Sequence, residues 1–423
     1  MNDFLIRNLR NSAGAPVEIA VKGGVFVKAE ELASGFTVID GNNEYVSPGL
    51  VDLHTHLREP GKEDAETVLT GSQAAIAGGF TAISAMPNTA PVADTAGVVE
   101  QVFRLGKHHG LCDVFPIGAV TIGQAGEQLS EMRAMNQSEA GVRIFSDDGH
   151  CVADSLVMRR ALEYVKSFDG VIAQHAQDPR LTIDAQMNEG EISARLGLKG
   201  WPAAAEESMI ARDLLLADHV GSRLHICHVT TKGGVDLIRW AKSRGIQVTA
   251  EVTPHHLILT DDLAESYDPV YKVNPPLRST KDVTALREGV ADGTIDIIAT
   301  DHAPHAAESK ECEWQAAAFG MTGLETALSV SYLALVETGL ISWQTLIDRM
   351  SSAPARIARY LDHGSISLGK PANFFTFDPN AKWQVRAAEM KSKSVNSPFL
   401  EQILPGRVTR TFFKGVEVHK VSQ

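Results

Sequence analysis

Over residues 1–46 short apolar runs alternate with turns. DFLIRNLR, VEIAVKGGVFVKA and FTVIDGNNEYV read as strands, with Gly or Asn at the reversals. The pattern then changes. VDLHTHL, TAISAMPN, CDVFPIGAV, GVRIFSDD, GVIAQHA, RLHICHVT, QVTAEVTPHHL and IDIIATDH form eight β-rich runs. Between most of them lie stretches with helical periodicity, such as AETVLTGSQAAIAGG, DSLVMRRALEYVKSF and ESMIARDLLLADHV, which start near Asp, Ser or Glu. Such alternation predicts an α/β fold. Eight strands suit a closed (β/α)8 barrel, while an open doubly wound sheet shares the alternation. From about residue 364 the chain returns to strands, in GSISLGKPANFFTFDP and RVTRTFFKGVEV. Chain ends often lie close together, so the two ends could join into one small β domain.

Composition narrows the partners. Against 39 basic residues stand 52 acidic ones, a net charge of -13, which excludes a general nucleic-acid binder. An anionic substrate remains compatible, because a local cationic site can override the global sign. No apolar run approaches the ~20 residues of a membrane helix, and the opening MNDFLIRNLRNSAG does not read as a signal peptide. The four cysteines, Cys112, Cys151, Cys227 and Cys312, form no CxxC pair. Reduced thiols and a cytoplasmic location are expected.

The candidate chemistry lies where the strands end. His54 and His56 sit two apart in VDLHTHL, and residues i and i+2 of a strand face the same way, as two ligands of one metal must. Asp148 closes GVRIFSDD, His175 closes GVIAQHA, His228 closes RLHICHVT and Asp301 closes IDIIATDH. In a barrel those ends converge on one face. A lone strand-end His is more often structural than a ligand. Six ligand types at the ends of five strands are hard to assign to chance. Four imidazoles and two carboxylates suit zinc, with cobalt or manganese as substitutes.

Longer motifs point further. PGLVDLHTHLREPG, AMPNTAPVADT, VTAEVTPHHLILTDDL, YKVNPPLRS and IDIIATDHAPH resemble the signatures of class I (bacterial-type) dihydroorotases of the amidohydrolase superfamily. The match runs in family order through nearly the whole chain. It implies a metal-dependent (β/α)8 TIM barrel over 47–363, with a small β-sandwich domain built from 1–46 and 364–423. It further implies reversible cyclisation of N-carbamoyl-L-aspartate to dihydroorotate in de novo pyrimidine synthesis.

The resemblance also implies roles. Two Zn2+ per chain are expected: one on His54, His56 and Asp301, the other on His175 and His228, bridged by Asp148 and a hydroxide. GVRIFSDDG has no lysine to serve as the carbamylated bridge of many relatives. Its Asp147 is expected to satisfy backbone donors instead. Asp301 is the expected proton carrier. Around the substrate carboxylate the family places Arg58, Asn88 and His305. Asn274 and the backbone of Phe319 and Gly320 resemble its ring contacts, and His56 is shared between metal and substrate. Ala318 stands where relatives often carry Pro, and Asn373 where they commonly carry Asp. A homodimer is expected, and an association with aspartate transcarbamoylase is conceivable. Two other readings compete: an allantoinase- or hydantoinase-type cyclic amidohydrolase, and a non-catalytic scaffold homologue. His108, His109, His150, His219, His225, His255, His256, His302, His363 and His419 match no ligand position.

Overall fold

The computed structural model describes residues 3–421. Both chain ends enter one eight-stranded sheet. Its centre is the antiparallel pairing of Tyr45–Pro48 with Phe374–Gln384. Phe4–Arg10, Pro16–Lys22, Val25–Val27 and Thr37–Asp40 extend it on one side, and Ile403–Phe413 and Val416–Lys420 on the other. The run read as a strand from residue 364 starts later, at Phe374. Before it the chain makes a turn, with the amide of Lys370 donating to the carbonyl of Ser367 (3.1 Å). Pro371, which has no amide donor, follows directly.

The remaining long-range strands are parallel. We number them β1 (Leu50–Thr55), β2 (Phe80–Ala85), β3 (Asp113–Pro116), β4 (Ile144–Phe145), β5 (Val171–Gln174), β6 (Leu224–Ile226), β7 (Val248–Val252) and β8 (Ile297–Ile298). β1, β2 and β3 form a three-stranded sheet, and β4 to β8 a five-stranded one in sequence order. Single parallel bridges join the two sheets at both edges, Gly118 with Phe145 and Thr55 with His302. The molecule is thus a mixed α/β fold. β1 and β2 are buried at every position, as strands covered on both faces must be. Alternation sorts their neighbours into two cores. On β5, Val171 and Ala173 join a cluster with Val51, Ala82, Ile117, Ile144, Cys227 and Ile297, drawn from both parallel sheets. Ile172, between them, joins the cluster that packs under the helices.

Helix starts follow local chemistry. The Thr67 hydroxyl accepts from the amide of Thr70 (3.1 Å) and opens Val68–Ala77. The Asp154 carboxylate accepts from the amides of Leu156 and Val157 and opens Ser155–Lys166. Each cap contributes about 1 kcal/mol. No helix among the described residues is long and apolar enough to cross a membrane.

The tail does not stay with its sheet. Residues 392–397 return to the ends of the parallel strands. There the buried Glu66 carboxylate accepts from the amide of Lys393 (3.0 Å), from the hydroxyls of Ser392 and Thr70, and from His302 Nε2 (3.2 Å). Replacing Glu66 by Ala would leave these donors buried without an acceptor. We expect Glu66→Ala to cost on the order of 3 kcal/mol in unfolding free energy, read by chemical denaturation. A loss below about 0.5 kcal/mol would show that water takes over the acceptor role.

Candidate active site

β1 carries His54, and His56 follows immediately after it. Asp148, His175, His228 and Asp301 lie within three residues of the ends of β4, β5, β6 and β8. All six side chains are buried. His228 (φ +29°) and Asp301 (φ +46°) hold left-handed backbone that ordinary side chains rarely adopt, the kind of local strain that clusters at functional sites.

The six expected ligands converge on the Asp148 carboxylate. Its Oδ1 lies 3.2 Å from His175 Nδ1 and 3.1 Å from His228 Nε2. Its Oδ2 lies 3.4 Å from His54 Nε2 and 3.3 Å from His56 Nε2. Asp301 Oδ1 closes the group, 3.0 Å from His56 Nε2 and 3.5 Å from His54 Nε2. Two donor triads follow, His54–His56–Asp148 and Asp148–His175–His228, and Asp148 belongs to both. Burial pushes the Asp148 carboxyl up, but His54, His175 and His228 outweigh it and hold it well below the usual range. For Asp301 burial likewise opposes His54 and His56, which prevail and lower it to about 2. Asp147 points elsewhere and accepts from the amides of Val120 (2.8 Å) and Thr121 (3.0 Å).

Three of the four imidazoles are held from behind. His54 Nδ1 meets Glu251 Oε1 at 2.5 Å, His56 Nδ1 meets Asn88 Oδ1 at 2.9 Å, and His175 Nε2 meets Gln177 Oε1 at 2.7 Å. These oxygens only accept, so each ring donates backwards and aims a lone pair into the cluster. Metal-ligating histidines are oriented in this way. His54 Nε2 is buried with no hydrogen bond of its own. His175 Nδ1 and His228 Nε2 face each other at 2.8 Å. Crowded, inward-facing nitrogen lone pairs beside carboxylates fit divalent cations.

The rim residues divide. Arg58 is buried, its Nε donating to the carbonyl of Pro304 (3.0 Å), and no carboxylate among the described residues lies within ion-pair distance of it. Burial lowers it to about 10, against the pull of Asp301 and Asp148, so it stays charged at neutral pH. Asn88, fixed through its oxygen by His56, keeps its amide nitrogen as a donor. The His305 Nε2 donates to the carbonyl of Phe319 (2.8 Å), with Arg58 Nη2 at 3.4 Å. Burial, then Arg58, lowers His305 to about 3, leaving a neutral ring. Gly320 has φ +147°, and a Cβ there would sit 2.7 Å from His305 Nε2, so the close approach requires glycine. Asn274 donates to Gln177 Oε1 (3.3 Å), and its own oxygen is buried without a partner.

Sequence reasoning missed Glu251 and Gln177. A charged residue inside the apolar run VTAEV was the available signal for Glu251, which is buried on β7 and also meets His225 Nε2 at 3.1 Å. Of the histidines set aside, His302 turns to Glu66 and His256 lies between Thr253 Oγ1 and the carbonyl of Pro275. His255 is buried, and its Nε2 has no partner. A cavity of about 460 Å3 lined by Trp383, Arg407 and His419 contains none of the site residues. The arrangement yields a test. Glu251→Gln removes the charge behind His54 and should weaken metal affinity ~10–100-fold, measured by competition with a chelator. Affinity within about twofold of wild type, well inside that range, would leave Glu251 with a packing role only.

Residues 44–234 match the family model described as Dihydro-orotase-like. The chain is 60% identical over 418 residues, 98% of each chain, to "Dihydroorotase" of Streptomyces coelicolor. It is 52% identical over 416 residues to "Dihydroorotase" of Mycobacterium tuberculosis, covering 97% of each. Among solved structures, the L-hydantoinase (dihydropyrimidinase) from Arthrobacter aurescens superposes with a TM-score of 0.89 at 26% identity, over 100% of this chain and 97% of that one. By identity that holds over almost its whole length, the chain belongs to the dihydroorotase family.

Proposed function

We propose that this chain is a cyclic amide hydrolase that interconverts N-carbamoyl-L-aspartate and (S)-dihydroorotate, a step of de novo pyrimidine synthesis. The observation that carries the substrate class is Arg58: a buried, charged guanidinium beside the imidazole cluster with no carboxylate among the described residues to pair with. A guanidinium in that position suits a substrate carboxylate, which its planar fork binds through two hydrogen bonds. Family membership supports the same reaction.

The donor set suits two zinc ions. His54, His56 and Asp301 would hold one, His175 and His228 the other, with Asp148 shared. Bound there, the metals supply a nucleophile at neutral pH and polarise the reacting carbonyl. The chain's own groups do the rest. Arg58 and the Asn88 amide orient the substrate carboxylate, and Asn274 with the Phe319–Gly320 backbone faces the ring. In ring opening Asp301 takes the nucleophile's proton and passes it to the leaving ring nitrogen; ring closure reverses the transfer. Closure also takes up one proton overall, because two carboxylates become one.

Two sheets bridged at both edges, with one apolar cluster drawn from both, support a closed (β/α)8 barrel over 47–363. The shared sheet of the chain ends supports a small β domain from 1–46 and 364–423, arranged as a sandwich.

Turnover of dihydroorotate, allantoin and hydantoin side by side tests the reaction. Preference for allantoin or hydantoin would replace the proposal by the hydantoinase-type reading, which the fold likeness to L-hydantoinase keeps in play. We expect elemental analysis to find close to two metals per chain, with Asp148→Ala losing most of one; one firmly held metal in both proteins would remove the bridge. Arg58→Lys keeps the charge but loses the fork. It should forfeit about 2–3 kcal/mol of transition-state stabilisation, measured as kcat/KM for dihydroorotate. A value within about twofold of wild type would mean that Arg58 does not anchor the carboxylate.

A further inference from the structure

Residues 311–320 carry Phe319 and Gly320 to the site, yet they form neither helix nor strand. Their carbonyls must find donors outside a regular ladder. Two lysines supply them. Lys272 Nζ donates to the carbonyls of Trp314 (2.6 Å), Gln315 (3.2 Å) and Ala317 (2.8 Å), which uses all three of its protons. Lys310 Nζ donates to the carbonyls of Ala318 (2.9 Å), Gly320 (3.0 Å) and Lys272 (3.1 Å). Both side chains are buried, and neither has a carboxylate within ion-pair distance among the described residues. Lys272 Nζ also lies 4.4 Å from the centre of the Phe319 ring.

Buried ammonium groups without counter-charges are costly, and a hydrophobic side chain would fill the same space at less cost. What they secure is a backbone course. The carbonyl of Lys272 accepts from the amide of Gly320 (2.9 Å) as well as from Lys310, so the two clamps share one peptide group. Lys272 lies two residues before Asn274, and the far side of the loop is held by His305 through the Phe319 carbonyl. From the tail, Asn396 Nδ2 adds a donor to the Gly320 carbonyl (3.2 Å). Every connection runs to the short stretch that ends at the site.

We infer that Lys272 and Lys310 are positioning residues for the reaction: they hold residues 314–320 so that the Phe319–Gly320 backbone meets the substrate ring. The inference rests on the reading of that backbone as a ring contact. Loss of either clamp leaves the metal cluster intact and loosens one wall of the site, so ground-state binding suffers more than the chemical step.

The test uses the full-length, metal-loaded protein with dihydroorotate as the probe. Lys310→Met and Lys272→Met should raise KM about tenfold or more, with kcat within about threefold and metal content unchanged. Lys310→Gln, which keeps two donors and is the milder variant should Lys310→Met not fold, should give an intermediate KM. In the double variant with Lys272→Met and Lys310→Met the KM penalty should fall well short of the product of the two single penalties, since both clamps share the Lys272 peptide group and hold one loop. KM within twofold of wild type in the folded Lys variants, or single penalties that multiply in full in the double variant, would overturn the inference while wild-type turnover of dihydroorotate left the functional reading standing. Absence of wild-type turnover would overturn both.

Discussion

Six groups that offer lone pairs share one buried volume, and something positive must lie between them. Glu251, Asn88 and Gln177 take the outward protons of His54, His56 and His175. The inward nitrogens of neutral rings are then acceptors, and they face Asp148 and Asp301, which are acceptors too. Acceptors at 3.0–3.5 Å repel unless a proton or a cation lies between them. A proton on His54 partly meets the need, since Asp148 and Glu251 raise that ring well above its usual range despite burial. Divalent cations meet it fully, because they satisfy four nitrogens and two carboxylates at once.

The fold's contribution is to make that convergence cheap. A parallel strand buried on both faces delivers its last side chain to a fixed point, and neighbouring parallel strands deliver theirs to the same side. The second layer uses the same device: Glu251 on β7 reaches His54 at the end of β1 and His225 on β6. The apolar positions hold the strands in place, and the polar positions of the same strands carry the chemistry. Hence the site residues are buried without being packed by apolar neighbours alone.

This explains what could be read from the sequence. His54 and His56 were legible because the two-residue period of a strand fixes their direction before any partner is known. Asp148, His175, His228 and Asp301 were legible as ligand types at the ends of apolar runs. The family motifs carried Arg58, Asn88, Asn274 and His305. Glu251 lies inside VTAEVTPHHLILTDDL, a motif that carries the family resemblance but in which no residue is singled out for the site. Gln177, Glu66, Asn396 and Lys310 leave no pattern at all, and Lys272 lies in YKVNPPLRS without any mark of its own role. Their roles depend on contacts across long sequence separations, such as Glu66 with Ser392 and Lys393, which periodicity does not encode. Strand lengths also misled: GVRIFSDD keeps only Ile144 and Phe145 as strand, because Asp147 turns its carboxylate to the backbone of the β3 loop.

A fold shared with L-hydantoinase at a TM-score of 0.89 does not choose a substrate. On the proposed function the choice would lie on the rim, where Arg58 is coupled to the cluster through Asp301 and Asp148. Asp301 and Asp148 supply a negative field that helps keep Arg58 charged despite its burial. Two divalent cations would bring +4 against the two carboxylates and reverse that field. Arg58 would then lose its internal compensation and need an anion from outside. A substrate carboxylate supplies it, and a neutral ring such as hydantoin does not. Metal loading and selection for an anionic substrate are, on this argument, two consequences of one charge balance.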